Sequence, residues 1–315
     1  MTMEASSGNS TMKAVSFNHY GGPEVLDVVE VSIPILKSNE VLVKVKVAGL
    51  NPGEIAIREG YLEDLFHTEF PCGEGTDFAG IVTAVDPKVT SFKPGDEVVG
   101  YTLHRASHAE YVAVSQDNVV AKPEGVSWEV GGSLFVAGVT GYAAVEAVRV
   151  KAGDTVVVAG AAGGVGMVAA QLALRRGASV IGIASQKYAG WLTSHGIIPV
   201  DYHGDLRSHV TESAHKIDAF IDTVGDGYVE LAIDLGISRE MINTSIDFAA
   251  AQKYGVKSAG SERGNATILQ KLIQLIADGK LDIPIAKSYS LDHVQQAYQY
   301  LADKHDIGKV VFSIS

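Results

Sequence analysis

The segment Asp154–Gly166, DTVVVAGAAGGVG, carries the residues whose types and spacing point most directly to chemistry. An apolar, β-branched run enters a glycine cluster, and the helical pattern Val165–Arg176 follows. A dinucleotide pyrophosphate needs a tight turn, a backbone it can approach closely and the positive end of a helix. Gly163 stands where a phosphate would meet any side chain, and Gly166 where a helix must pack closely on a sheet. Against the pattern G-x-G-x-x-G the first glycine is replaced by Ala161, so the motif is A-x-G-G-x-G. A strand before it and a second strand at Ala178–Ala184 supply the context that separates a nucleotide site from a structural turn.

The end of that second strand bears on which nicotinamide cofactor fits. An Asp or Glu there normally holds the adenosine ribose of NAD. Here the strand runs into Ile183-Ala184-Ser185-Gln186-Lys187 with no carboxylate. Ser185 offers a hydrogen bond and Lys187 a positive charge to a 2′-phosphate, which favours NADPH. The alternative is that Lys187 is a solvated residue opening the next helix and both cofactors are tolerated.

Around this motif, Thr155–Gly160, Ala178–Ala184, Ile197–Asp201, Ala219–Thr223 and Met241–Ser245 are apolar runs at α/β spacing, as parallel strands buried on both faces require. The first 125 residues read differently. In Glu40–Ala48, Val41, Val43, Val45 and Val47 point one way and Lys44 and Lys46 the other, which predicts a half-buried strand. Further strands are predicted at Met12–Phe17, Gly80–Val85, Asp96–Val99 and Glu110–Val114, with turns at Gly21-Gly22-Pro23, Asn51-Pro52-Gly53 and Lys93-Pro94-Gly95-Asp96. This half reads as an antiparallel, barrel-like domain. Trp128–Val148 is helical in pattern but interrupted by Gly138 and Gly141. Asn265–Asp278 and Leu291–Asp303 read as amphipathic helices before a closing strand, Lys309–Ser313.

The chain has 315 residues, 46% hydrophobic and 20% charged, enough for two cores. A net charge of -12 argues against a nucleic-acid partner, and no run approaches the length of a membrane span. The single cysteine, Cys72, excludes an internal disulfide framework and is expected to be a packed thiol. A polar start, Met1–Thr11, reads as a flexible tail, and a cytoplasmic enzyme is the expectation.

Several stretches together resemble the medium-chain dehydrogenase/reductase family, in its zinc-independent quinone-oxidoreductase branch. They are GGPEVL (Gly21–Leu26), VAGLNPGEIAIREG (Val47–Gly60), GTDFAGIV (Gly75–Val82), FKPGDEVVG (Phe92–Gly100), HAEYVAV (His108–Val114), AGVTGYAAV (Ala137–Val145), AGAAGGVG (Ala159–Gly166) and GKVVF (Gly308–Phe312). The resemblance implies an α/β fold: a Rossmann doubly wound parallel sheet over 126–264, binding NADPH, with an N-terminal GroES-like β-barrel domain over 12–125 plus 265–315. It also implies a homodimer, and an active site in the cleft between the domains.

The resemblance makes Asn51 the candidate catalytic residue, hydrogen-bonding an acceptor carbonyl beside the nicotinamide; otherwise it is a turn former before Pro52. It makes Thr140 a contact near the phosphates or nicotinamide ribose, and has Gly163, Gly164, Val165 and Gly166 line the pyrophosphate. Tyr202 would stand near the adenosine phosphate, with packing as the alternative. Thr223, Val224 and Gly225 would border the adenosine or its ribose, Thr244 and Ser245 the nicotinamide, and Lys309 the cofactor edge unless it simply opens the last strand. Zinc-dependent relatives carry a cysteine-histidine motif where this chain has Leu50-Asn51-Pro52, and Gly-His-Glu where it has Gly75-Thr76-Asp77. No metal is therefore expected, and His104 and His108 read as surface or packing residues.

Without a Lewis acid, an electron-poor acceptor is favoured over simple alcohol oxidation: a quinone, or alternatively an enone or alkenal double bond. A noncatalytic NADPH-binding protein is the remaining alternative. Ala56 stands where several family members place a bulky pocket residue, and Arg58 is expected to form a salt bridge within its own domain.

Overall fold

The computed structural model describes residues 10–303 and 306–315. The expected tail falls almost wholly outside the described residues, although Thr11 already opens a strand. The chain forms two compact units: one from the described residues of 1–133, 287–305 and 310–315, the other from Leu134–Ala286 and Asp306–Lys309.

In the first unit the strands are β1 (Thr11–Phe17), β2 (Asp27–Ser32), β3 (Glu40–Gly49), β4 (Cys72–Gly73), β5 (Asp77–Val85), β6 (Glu97–Tyr101), β7 (Tyr111–Ser115) and β8 (Val119–Ala121). The predicted alternation holds in β3, where Val41, Val43, Val45 and Val47 are buried and the intervening lysines are not. The expected barrel is realised as open sheets among the described residues. One has the order β2-β1-β4; the other runs β14-β15-β3-β5-β6-β8, where β14 is Ile285–Tyr289 and β15 Lys309–Ser313, and β7 also pairs with β3. Phe17, Phe78, Phe312 and Tyr298 join the valines in its core.

The second unit contains β9 (Thr155–Ala159), β10 (Ser179–Ala184), β11 (Ile198–Asp201), β12 (Ala219–Asp222) and β13 (Ile242–Thr244). All pair in parallel, in the order β11-β10-β9-β12-β13. The chain winds outward from β9 on one side and returns on the other, so the topological switch lies between β9 and β12. Ligands of open parallel sheets bind at the carboxyl ends of the strands at such a point.

Three expectations are corrected. Asn51-Pro52-Gly53 is not an isolated turn but the start of a helix, Pro52–Arg58, with Asn51 at its N-cap and proline at a position that needs no N–H. The interruption in 128–148 falls between helices Trp128–Gly131 and Phe135–Ala147, not at Gly138 or Gly141. Those glycines are helix-interior because neighbours come too close for a side chain: a Cβ on Gly141 would lie 2.9 Å from the Val165 carbonyl oxygen, and one on Gly138 would lie 2.9 Å from Leu272 Cδ1. The same contact explains the third difference. The helix Ala266–Ala277, capped by Asn265 Oδ1 accepting from Ile268 N–H at 3.0 Å, belongs to the second unit, where it buries Leu269, Leu272 and Ile273.

Candidate active site

The turn after β9 is built on Gly160, whose φ of +75° suits glycine. A Cβ there would lie 2.6 Å from Thr223 Oγ1 and 2.8 Å from Val224 Cγ2. Its N–H donates to Ile183 O at 3.0 Å, and its carbonyl accepts Gly163 N–H at 2.8 Å. The demanding backbone position is thus one residue before Ala161, which explains why alanine is accepted in the first motif position.

The helix Gly164–Arg175 follows, with Gly163 at its N-cap, no side chain capping it and no acidic residue in its first turn. Its first N–H groups have no intrahelical acceptor, and the helix dipole adds positive potential there. A Cβ on Gly166 would lie 2.1 Å from Gly160 O, so this glycine permits close packing of helix on turn. A Cβ on Gly163 would meet only Gly160 O, at 3.2 Å, leaving room for a ligand. Lys309 is buried, and its Cδ lies 3.2 Å from where a Gly164 Cβ would stand. Its aliphatic stem therefore crosses the helix N-terminus as it opens β15. Thr140 lies on the Phe135–Ala147 helix, whose Gly141 packs against Val165.

On the far side of the switch point, Asp222 organises the candidates that follow β12 and β13. It is fully buried. Its Oδ1 accepts Val224 and Gly225 N–H, both at 2.9 Å, and its Oδ2 accepts the Thr244 hydroxyl at 2.7 Å. Thr244 Oγ1 in turn accepts Asp247 N–H at 3.0 Å, and Thr223 Oγ1 donates to Ala159 O at 2.7 Å. Both threonine hydroxyls are engaged in shaping the loops. Ser245 differs: its hydroxyl is buried with no hydrogen-bond partner.

Ser185 follows β10 and starts a short turn, Gln186–Tyr188, without capping it. The Lys187 ammonium sits 4.7 Å from the centre of the Tyr188 ring. Its pKa is raised, first by the hydrogen bond to Tyr188 and then by nearby Asp306 and Tyr202, so it stays charged. Tyr202 follows β11 and is 46% exposed, with its ring centre 4.2 Å from that of His203. No carboxylate ends β10; Asp201, which ends the next strand, is hydrogen-bonded by His203 at 2.7 Å.

Asn51 lies in the first unit and is buried. Its backbone N–H donates to Glu54 Oε2 at 2.9 Å and its side-chain Nδ2 to Glu54 Oε1 at 3.2 Å. Tyr298 donates its hydroxyl to the same Oε2 at 2.8 Å. Arg58 makes the expected salt bridge, to Glu74 at 3.2 Å, with both side chains fully buried. Burial, reinforced by the charge of Glu54 and opposed by Arg58, pushes the Glu74 carboxyl up to about 8. Cys72 is buried, and burial raises its thiol pKa. His108 is a packing residue whose Nε2 meets Gly49 O at 3.1 Å. Among the described residues no group of three or more His, Cys, Asp or Glu side chains is arranged to hold a metal ion, and no helix is long and apolar enough to cross a membrane.

Asp222, Gly160, Glu54 and Tyr298 were not candidates from the sequence. The spacing Asn51-x-x-Glu54 is a readable capping signal. Asp222 directly precedes the candidate Thr223, but nothing local shows that it reaches Thr244.

Residues 37–152 match the family model described as alcohol dehydrogenase GroES-like domain, and residues 195–312 the one described as zinc-binding dehydrogenase. The chain is 31% identical over 316 residues to 2-methylene-furan-3-one reductase of Solanum lycopersicum, covering 96% of this chain and 79% of that one. The chain belongs to the medium-chain dehydrogenase/reductase family. It is an oxidoreductase of the quinone-oxidoreductase branch, with the GroES-like and Rossmann-type domains of that family. It is 35% identical over 222 residues to quinone oxidoreductase of Mus musculus, covering 70% of this chain and just under two thirds, 64%, of that one. The solved quinone oxidoreductase of Coxiella burnetii shares 31% identity at a TM-score of 0.86, covering 97% of this chain and all (100%) of that one. The Escherichia coli quinone oxidoreductase solved in complex with NADPH shares 25% identity at a TM-score of 0.85, covering 96% and 99%.

Proposed function

We propose that this chain is an NADPH-dependent quinone oxidoreductase that works without zinc. The observation that carries the reading is the uncapped N-terminus of Gly164–Arg175, crossed by the Lys309 stem and set at the switch point of a parallel sheet whose β10 is followed by Ser185 rather than a carboxylate.

The residues present fit a nicotinamide dinucleotide. Gly163, Gly164, Val165 and Gly166 would hold the pyrophosphate through backbone N–H groups, with Lys309 and Thr140 at its edge. Ser185, Lys187 and Tyr202 would take the 2′-phosphate end, Thr223, Val224 and Gly225 the adenosine, and Thr244 and Ser245 the nicotinamide end. When bound, NADPH supplies the hydride. Asn51 would donate a hydrogen bond to the acceptor carbonyl oxygen, stabilising the charge that develops on it. Conjugation in a quinone spreads that charge, so one amide donor suffices where a metal would otherwise be needed. Leu50, Asn51 and Thr76 offer neither thiolate nor imidazole, which supports the zinc-free reading.

A second reading, reduction of an enone or alkenal double bond, is favoured by the relative named 2-methylene-furan-3-one reductase, which matches over nearly the whole chain. The reading also includes a cytosolic homodimer. A single cysteine in 315 residues suits a reducing compartment, and sedimentation would measure the mass in solution.

Anaerobic stopped-flow oxidation of NADPH, and separately NADH, with a small quinone and with an enone tests the proposal. Rapid NADPH loss with the quinone supports it. A saturated ketone from the enone, with an inert quinone, moves the assignment to double-bond reduction. Tight NADPH binding without turnover of either leaves a noncatalytic binding protein.

A further inference from the structure

The amide of Asn51 is held by a buried chain of side chains drawn from distant parts of the sequence. Glu54 accepts the Asn51 backbone N–H with one oxygen and the Asn51 side-chain Nδ2 with the other. Tyr298, on the helix Val294–Asp303, donates to the oxygen that already accepts the backbone N–H. The Arg58 guanidinium lies 4.6 Å from the centre of the Tyr298 ring and fixes its face. His108 Nδ1 stands 3.4 Å from the Tyr298 hydroxyl. The other ring nitrogen of His108 must carry a proton, because the Gly49 carbonyl it meets can only accept. Tyr298 has one proton to give, and the carboxylate at 2.8 Å outcompetes the imidazole at 3.4 Å.

This arrangement does more than cap a helix. A capping box pairs the Glu54 side chain with the Asn51 backbone N–H and the Asn51 side chain with the Glu54 backbone N–H, and both halves are present, but it does not call for the further bond from Asn51 Nδ2 to Glu54 Oε1. An asparagine amide can turn over, exchanging its oxygen for its nitrogen at modest cost, and only the nitrogen end can donate to an acceptor oxygen. Both Glu54 oxygens accept hydrogen bonds, so its carboxyl group holds the amide by one N–H of Nδ2, and the second N–H of that nitrogen is the one that would reach the acceptor. Tyr298, by donating to Glu54, holds that carboxylate in register. We propose that Tyr298 and Glu54 are positioning residues that orient the Asn51 amide for hydrogen-bonding to the acceptor. The inference rests on the role assigned to Asn51 above.

The test is a double-mutant cycle on acceptor kinetics with 1,4-benzoquinone and NADPH. Tyr298→Phe removes the hydroxyl and keeps the ring. It is expected to lower kcat/KM for the quinone about tenfold, the scale of one hydrogen bond to a charged group, with the NADPH dissociation constant unchanged. Asn51→Ala is expected to lower kcat/KM further. In the Asn51→Ala background, Tyr298→Phe should then change kcat/KM less than about twofold, because no amide is left to orient. Loss of packing alone would not produce this coupling. Full multiplication of the two effects, or an unaltered Tyr298→Phe enzyme, overturns the inference and leaves Asn51 in place. An unaltered Asn51→Ala enzyme removes the role of Asn51 and this inference together. Should Tyr298→Phe fail to fold, Glu54→Gln enters the same cycle with the same expected coupling.

Discussion

Thr244 donates its hydroxyl to the buried carboxylate of Asp222 at 2.7 Å, and this bond ties the loop after β12 to the loop after β13. The other carboxylate oxygen holds two backbone N–H groups of the first loop, so a single side chain fixes three candidate cofactor residues, Val224, Gly225 and Thr244, while the Asp222 backbone carbonyl accepts Ser245 N–H at 2.9 Å.

Replacing Asp222 by Ala leaves the buried donors to its carboxylate without an acceptor. The expected cost is on the order of 2–4 kcal/mol of stability, together with at least about tenfold weaker NADPH binding. Thermal unfolding and fluorescence titration measure the two effects. Unchanged binding in a destabilised variant would show that the loops serve the fold and not the cofactor.

Gly163 and Gly166 should respond differently to the same substitution. Gly166→Ala forces a methyl group to 2.1 Å from a backbone oxygen and is expected to cost about 1–3 kcal/mol, with binding impaired as the turn shifts. Gly163→Ala meets one atom at 3.2 Å, so its melting temperature should stay within a few degrees while NADPH affinity falls. Equal melting and equal affinity in Gly163→Ala would argue against a pyrophosphate at this position.

Cofactor choice should turn on Ser185 and Lys187. Ser185→Asp sets a carboxylate where a 2′-phosphate is proposed to lie, and it should weaken NADPH about tenfold or more while sparing or improving NADH. Lys187→Ala should weaken NADPH alone. Parallel changes for both cofactors in equilibrium titrations would remove these residues from phosphate recognition.

Glu74 predicts a pH dependence of stability. Its carboxyl is raised from the ordinary 4.5 to about 8 in the fold. The folded state therefore binds more protons than the unfolded state between these values, and the contribution of this group falls as pH rises through the window, by at most about 1.4 kcal/mol per pH unit. Glu74→Gln should flatten that slope. Denaturant melts from pH 5 to 9 measure it, and matching slopes in both proteins would refute the assignment.

What was legible in the sequence was whatever depends on short-range pattern. The alternating valines of β3, the continuous apolar runs of β9 and β10, and the turn from Gly160 into Gly166 all sit where the chain suggested. The misread segments are those in which a distant neighbour decides. Gly138 and Gly141 looked like helix breakers because the helix packed against them is invisible locally. The helix at 266–277 has an amphipathic face that does not say which partner it covers. Within the candidate site, Asn51 was legible through its motif. Tyr298 reaches Glu54 across 244 positions, and no local signal marks it.

The core of the first unit includes Leu291, Val294, Tyr298, Phe312 and Ile314, whereas every strand of the parallel sheet lies within residues 155–244. A nascent chain therefore leaves this core incomplete until residues 291–314 have emerged from the ribosome, although the sheet that would hold the cofactor already has all its strands. Domains fold as units during synthesis, so the later half of the message should mature before the earlier half. Chains arrested after Ala286 should be cut by protease within 40–121 and resist within 155–244. Equal resistance in both regions would show that the first unit folds before its own closing segment is made.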